Sequence, residues 1–263
     1  MNGPALPRAL VTGGSEGIGR AFARRLAAAG YTVTVVARNE VRLNALLDEL
    51  GPGHHALTAD LAAEAGLRRV VHELAVNRFD LLVNNAGTAA PGPFADVPLE
   101  AATSVMRLNC DALTTLTHAF LSGARAGDSL VNVSSTLAFA PMPNLSVYSA
   151  TKAFVTSLSE SLWFEQKKRG VYVMGLCPGM TATRSQPHTG EGAPAGLVQT
   201  PEQVVTVALA ALRRRRRPTV ICGKKNALFT AATRALPRRT LLALLGGGRT
   251  SSPQACVPNG EPT

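Results

Sequence analysis

Ala9-Leu10-Val11-Thr12-Gly13-Gly14-Ser15-Glu16-Gly17-Ile18-Gly19, followed by the run Arg20 to Ala29, decides the fold. A short apolar run ending in Thr12-Gly13 fits a strand buried in a parallel sheet. Glycines at 13, 17 and 19 let the backbone turn tightly and approach a ligand. The run from Arg20 reads as a helix, whose first turn offers unpaired amides and a positive dipole end. Strand, glycine turn and helix in that order make a site for a pyrophosphate. Tyr31 to Val36, His54 to Ala59, Phe79 to Val83, Ser129 to Val133, Val171 to Leu176 and Pro218 to Cys222 are further runs of strand length. Helical patterns alternate with them at Asn39 to Leu50, Ala101 to Ala124 and Val147 to Arg169, and from Thr200-Pro201 to the arginines 213–217, which read as charges ending a helix. The expectation is one doubly wound α/β domain over residues 1–245, a three-layer sandwich with a parallel sheet of about seven strands.

The chemistry falls on Ser134-Ser135 and Tyr148-Ser149-Ala150-Thr151-Lys152. Tyr148 and Lys152 stand four apart and share one face of a helix. A free phenol has a pKa of about 10, and a neighbouring ammonium is expected to lower it toward the working range. Ser135 lies at the carboxyl end of the run Ser129 to Val133, where its hydroxyl can hold a substrate oxygen beside the phenol.

With Asn84-Asn85-Ala86-Gly87, Asn109 and Pro178-Gly179 added, the order and spacing of these motifs resemble the short-chain dehydrogenase/reductase family over residues 8 to 222. The resemblance implies a Rossmann-type domain binding a nicotinamide cofactor. It places Gly13, Ser15, Gly17, Ile18 and Gly19 on the pyrophosphate side, and Asp60 and Leu61 at the adenine. Asn85, Ala86 and Gly87 fall near the ribose, which Tyr148 and Lys152 also meet. Pro178, Gly179, Thr181 and Thr183 close over the nicotinamide. It further implies a proton relay of Asn109, Ser135, Tyr148 and Lys152, with the Asn109 backbone carbonyl holding a water. Asp60 equally reads as a cap for the helix that follows it. The branch resembled most is that of the 3-oxoacyl and hydroxysteroid ketoreductases, whose members form homodimers or homotetramers through two long helices.

Cofactor choice turns on the end of the second strand. Ala37-Arg38 stands where NAD-users carry a carboxylate, and an arginine fork suits a 2′-phosphate. NADP(H) is therefore expected over NAD(H), although Glu16 occupies the glycine-loop position where NADP-users often carry a second cation.

Of the residues, 46% are apolar and 17% charged, which describes a globular chain and not a disordered one. No apolar run reaches the roughly 20 residues of a membrane span. Met1 to Arg8 lack the apolar centre of a signal peptide. Cys110, Cys177, Cys222 and Cys256 show no pairing or zinc spacing and read as reduced thiols of a cytoplasmic protein. No metal site is expected. The net charge of +10 sits in residues 213–263, where eleven Lys and Arg face Glu261 alone. Such a basic, leucine-rich extension suggests weak contact with an anionic membrane, while the neutral body speaks against nucleic acid.

The pocket loops supply Phe94, Leu137, Phe139, Met142 and Leu145, with little charge. An apolar ketone or secondary alcohol is the expected substrate: acyl, polyketide, terpenoid or steroid-like. The alternative is a nucleotide-binding regulator, or a membrane-associated partner protein with little activity. Residues 184–200 read as a polar loop over the site, in which His188 has no catalytic role, and residues 246–263 as a disordered tail.

Overall fold

Ala9 and Val11 point to one side of the first strand and Leu10 to the other, and all three are fully buried. That arrangement requires cover on both faces, which is what the computed structural model shows over the residues it describes, 6–182 and 198–246. Seven parallel strands lie in the order β3-β2-β1-β4-β5-β6-β7. They are β1 (Arg8–Thr12), β2 (Thr32–Ala37), β3 (His55–Thr58), β4 (Leu81–Asn84), β5 (Ser129–Val133), β6 (Tyr172–Cys177) and β7 (Thr219–Ile221). The direction of winding reverses between β1 and β4, which opens a crevice at their carboxyl ends.

On one face, Ala9, Val11, Val83 and Met174 pack against Phe22 and Leu26 of α1 (Gly17–Ala27), Leu43 and Leu46 of α2 (Glu40–Leu50), and Val204 and Val205 of α7 (Pro201–Arg214). On the other, Leu10, Leu82, Leu130 and Val173 meet Val70 of α3 (Glu64–Val76), Leu116 and Phe120 of α5 (Leu113–Gly123), and Leu162 of α6 (Ser146–Gln166). The start signals hold: Asn39 accepts from the Arg42 amide, and Thr200 forms a capping box with Gln203. Gly170, in the left-handed region at φ 70°, ends the short 3₁₀ turn after α6.

Two local readings are corrected. The helix expected from Ala101 to Ala124 is divided into α4 (Leu99–Met106), a π-helical segment (Arg107–Ala112) and α5. The wider turn accommodates Asn109, whose side chain is buried and bonded away from the helix. Asp60 does not cap α3, because its carboxylate accepts from the Ala62 amide, 3.0 Å away, and closes the turn before the helix. The arginines from 213 do end a helix, as expected: Arg215 caps α7 and turns left-handed at φ 50°. Its guanidinium donates to the carbonyls of Gly127, Asp128 and Gly170 and to the Ser129 hydroxyl.

Beyond β7, α8 (Lys224–Ala235) and α9 (Arg238–Gly246) return over the carboxyl end of the sheet. No described helix is long and apolar enough to cross a membrane. Residues 247–263, expected as a tail, lie outside the described residues.

Candidate active site

Two turns meet above the crevice between β1 and β4. The Thr12 hydroxyl accepts from the amides of Asn85 (2.9 Å) and Ala86 (3.0 Å). The Asn85 carboxamide donates to the carbonyls of Thr12 (2.9 Å) and Gly13 (3.1 Å). Contact is so close that a Cβ on Gly13, already at φ 62°, would lie 2.9 Å from the Ala86 Cα, and one on Gly19 would overlap the Gly13 carbonyl. Only glycine permits this approach. Glu16 at the start of α1 makes no side-chain cap, so the first-turn amides are not claimed by its carboxylate. Those amides and the glycine surface fit a pyrophosphate.

At the end of β2, Arg38 is exposed and has no hydrogen bond or ion pair among the described residues. The Glu16 carboxylate pairs with Arg42 of α2 at 2.9 Å. Arg42, which the sequence reading did not single out, thus brings a second cation beside the glycine turn. Asp60 is exposed and Leu61 buried at the end of β3.

Ser135 follows β5 and opens a 3₁₀ turn (Thr136–Phe139), its hydroxyl accepting from the Leu137 amide at 3.1 Å. The same hydroxyl faces the Tyr148 phenol, in the first turn of α6. One turn on, the buried Lys152 ammonium donates to the Val133 carbonyl at 2.9 Å and stands 5.5 Å from the centre of the Tyr148 ring. Helix and strand are locked together by Ser134, whose hydroxyl bonds the Lys152 carbonyl (2.8 Å) and the Thr156 hydroxyl (2.7 Å). Asn132 extends the lock, donating to Ser159 and accepting from Asn84.

Asn109 reaches the same place from the π-helical segment. Its side chain forms two 2.9 Å bonds with the Thr88 backbone and donates to the Thr151 hydroxyl at 3.0 Å. Gly87 lies between: a Cβ there would stand 3.2 Å from the Asn109 carboxamide oxygen and 3.5 Å from the Lys152 ammonium. The structure therefore brings together all four residues of the expected relay.

The electrostatics differ from the sequence reading in one respect. Burial pushes the Tyr148 phenol up, and the neighbouring Ser135 hydroxyl offsets only part of that rise. The expected lowering by Lys152 is not seen. The ammonium is engaged by a backbone carbonyl, and its own pKa is pushed down to about 8 by burial, against smaller opposing effects of Cys177 and Cys110.

After β6, the Pro178 carbonyl accepts from the Thr136 amide at 2.9 Å, which fixes this strap to the Ser135 turn. Thr181 is buried and bridges to Gln199. Gln199 in turn accepts from the Gly179 amide (3.4 Å) and from Asn226 of α8 (3.1 Å), two residues the sequence did not mark as partners. Thr183 and His188 lie outside the described residues.

Leu137, Met142 and Leu145 are half-buried beside α6, while Phe139 is buried beneath the Arg234 guanidinium. Phe94 is largely exposed, on a turn joined to that loop by the bond from Gly92 to Asn144. His54 has a structural part, since its ring accepts from the Val33 amide.

Comparison with known proteins agrees with this arrangement. Residues 7–193 match the short chain dehydrogenase family. Sulfoacetaldehyde reductase 2 of Chromohalobacter salexigens is 39% identical over 66% of this chain and 72% of its own length. A very-long-chain 3-oxoacyl-CoA reductase of Phaeosphaeria nodorum is 31% identical over 87% of this chain and 68% of its own. Among solved structures, a short-chain dehydrogenase from Sphingobium yanoikuyae in complex with NADPH superposes with a TM-score of 0.78 and 33% identity, covering 95% of this chain and 99% of that one. The family match spans the glycine turn and the Ser135–Tyr148–Lys152 cluster alike, and the chain is a member of the short-chain dehydrogenase family of oxidoreductases.

Proposed function

We propose that the chain reduces a ketone, or oxidises the corresponding secondary alcohol, on an apolar substrate of acyl, polyketide, terpenoid or steroid-like kind, with NADP(H) as cofactor. The observation that carries this reading is the placing of the Ser135 hydroxyl beside the Tyr148 phenol, with the buried Lys152 ammonium one turn along the same helix, 5.5 Å from the ring centre. A bound nicotinamide supplies or accepts the hydride. In reduction, Ser135 donates to the carbonyl oxygen, and Tyr148, kept protonated by burial, delivers the proton to it. Lys152, by resemblance, binds the ribose and would favour the phenolate once its ammonium turns from the Val133 carbonyl to the cofactor. Asn109 fixes α6 through Thr151 and, by resemblance, passes the proton onward.

The unpaired Arg38 guanidinium and the neutralised Glu16 support NADP(H). The half-buried Leu137, Met142 and Leu145 support an apolar substrate. We also infer a homodimer or homotetramer in the cytoplasm, supported by Phe154 and Phe164 exposed on α6 and by the free thiols of Cys110, Cys177 and Cys222.

Consumption of NADPH and NADH against a panel of apolar ketones, with wild type and Tyr148→Phe, tests the reading. NADPH-linked turnover that collapses in the variant is the expected result. Turnover that survives the substitution overturns the role given to Tyr148, and a preference for NADH overturns the cofactor assignment.

A further inference from the structure

Phe139 ends the 3₁₀ turn that Ser135 opens, and it is covered by two arginines from the region after β7. The Arg234 guanidinium lies 4.6 Å from the centre of the Phe139 ring, and Arg238 donates one N–H to the Phe139 carbonyl at 3.3 Å. Both side chains are on exposed residues. A guanidinium carries five N–H donors, so stacking on a ring face and one long bond leave most of them without a partner among the described residues. Among the described residues neither arginine pairs with a carboxylate.

The segments that carry and face them hold no carboxylate. Between Glu202 and Glu261 the chain has no acidic residue, and there is none from Ser129 to Ser159. Glu160 on α6 is engaged by the Thr219 hydroxyl at the start of β7. The end of α9 rests on the pocket loop, where a Cβ on Gly246 would stand 3.5 Å from the Pro143 ring. Two forked cations are therefore fixed against an apolar wall, four residues along the chain from Ser135. Such a site matches an amphiphile with an apolar body and an anionic end.

We propose that Arg234 and Arg238 form an anion subsite at the mouth of the substrate pocket, and that the substrate is an apolar ketone bearing a carboxylate or phosphate remote from its carbonyl. The location of the carbonyl rests on the ketoreductase reading above; the anion subsite does not.

The test separates the two. Calorimetry compares decanoate with decan-1-ol on the full chain, for wild type, the double variant Arg234→Gln/Arg238→Gln and the double variant Arg234→Lys/Arg238→Lys. Decanoate should bind about tenfold more weakly to the glutamine variant, as expected for losing a charge-assisted bond. The lysine variant should recover part of that loss, and decan-1-ol should be indifferent to both. Equal loss for both ligands means collapse of the Phe139 wall and overturns the subsite. Equal affinity of wild type and the glutamine variant for decanoate overturns it too. Binding to phosphatidylglycerol vesicles that vanishes in the glutamine variant, with decanoate unaffected, overturns it in favour of a membrane headgroup. Turnover of a long-chain oxo-carboxylate against its methyl ester then reads the ketoreductase assignment separately. Its KM, and not its kcat, should rise in the glutamine variant for the carboxylate alone.

Discussion

Glu16 and Arg42 form an ion pair of 2.9 Å beside the glycine turn, with the carboxylate about a quarter and the guanidinium about half exposed. The pair removes the repulsion that a lone carboxylate would exert on a 2′-phosphate. It also occupies a cation that would otherwise be available. Glu16→Gln should therefore raise selectivity for NADPH over NADH roughly threefold to tenfold, since exposed ion pairs are weak and phosphate forks stronger. Arg38→Ala should lower that selectivity by about tenfold or more. Ratios of kcat/KM for the two cofactors provide the check, and an unchanged ratio in Arg38→Ala removes the basis for the NADP(H) assignment.

The Lys152 ammonium, pushed down to about 8 by burial, makes stability depend on pH in a defined direction. Between about pH 8 and the unfolded value near 10.4, the unfolded chain holds a proton that the folded chain has released. Stability from this group therefore rises with pH across that window and is least below it. Lys152→Met should lack this rise. Denaturant titrations of both proteins between pH 7 and pH 10 measure the difference, and parallel curves contradict the burial argument. The raised phenol of Tyr148 acts in the opposite sense from about pH 10 upward, where its unfolded counterpart ionises, so the Lys152 rise is read below that pH.

Gly179 faces the Asn226 carboxamide so closely that an added Cβ would overlap it. Asn226 cannot simply swing away, since it donates to Gln199 and to the Cys222 carbonyl. Gly179→Ala should cost about 1–3 kcal/mol as an overpacking strain and should raise the KM for cofactor. Adding Asn226→Gly should restore much of both. A double variant no better than Gly179→Ala in thermal denaturation and cofactor kinetics disproves the coupling.

Arg215 satisfies three carbonyls and one hydroxyl at the amino-terminal edge of the sheet and stacks 5.6 Å from the centre of the Tyr172 ring. Arg215→Ala should destabilise by roughly 2–3 kcal/mol, because partly buried carbonyls lose their donors. Alanine also keeps the backbone strain of the native residue, since φ 50° disfavours any side chain with a Cβ. Arg215→Gly relieves that strain and should consequently be less damaging than Arg215→Ala. Thermal melts of the two variants decide the order, while activity of the folded fraction should remain near wild type.

The local pattern carried the fold well, because buried parallel strands and glycine turns leave their mark within a dozen residues. Ala9 to Gly19 predicted a strand, a turn and a helix, and Tyr148 with Lys152 predicted a shared helix face; all are seen. What escaped was carried by partners distant in the chain. Thr12 meets Asn85 across 73 residues, and Asn226 meets Gln199 across 27, with nothing in either segment to announce the other. The Tyr148 shift escaped for another reason. Proximity of an ammonium was legible from the spacing, but the extent of desolvation depends on how completely β5 and α6 close around the phenol.

Because β7 pairs with β6 and Asn226 braces the Gly179 strap, the described part of the basic region, residues 213–246, is woven into the domain and not appended to it. A shortened chain cut at residue 213 would lose a strand, the Arg215 clamp and the brace together. Loss of any activity on such a cut would report misfolding. Charge-reversing substitutions at exposed arginines, and not truncation, are therefore the means by which the basic surface can be questioned in isolation.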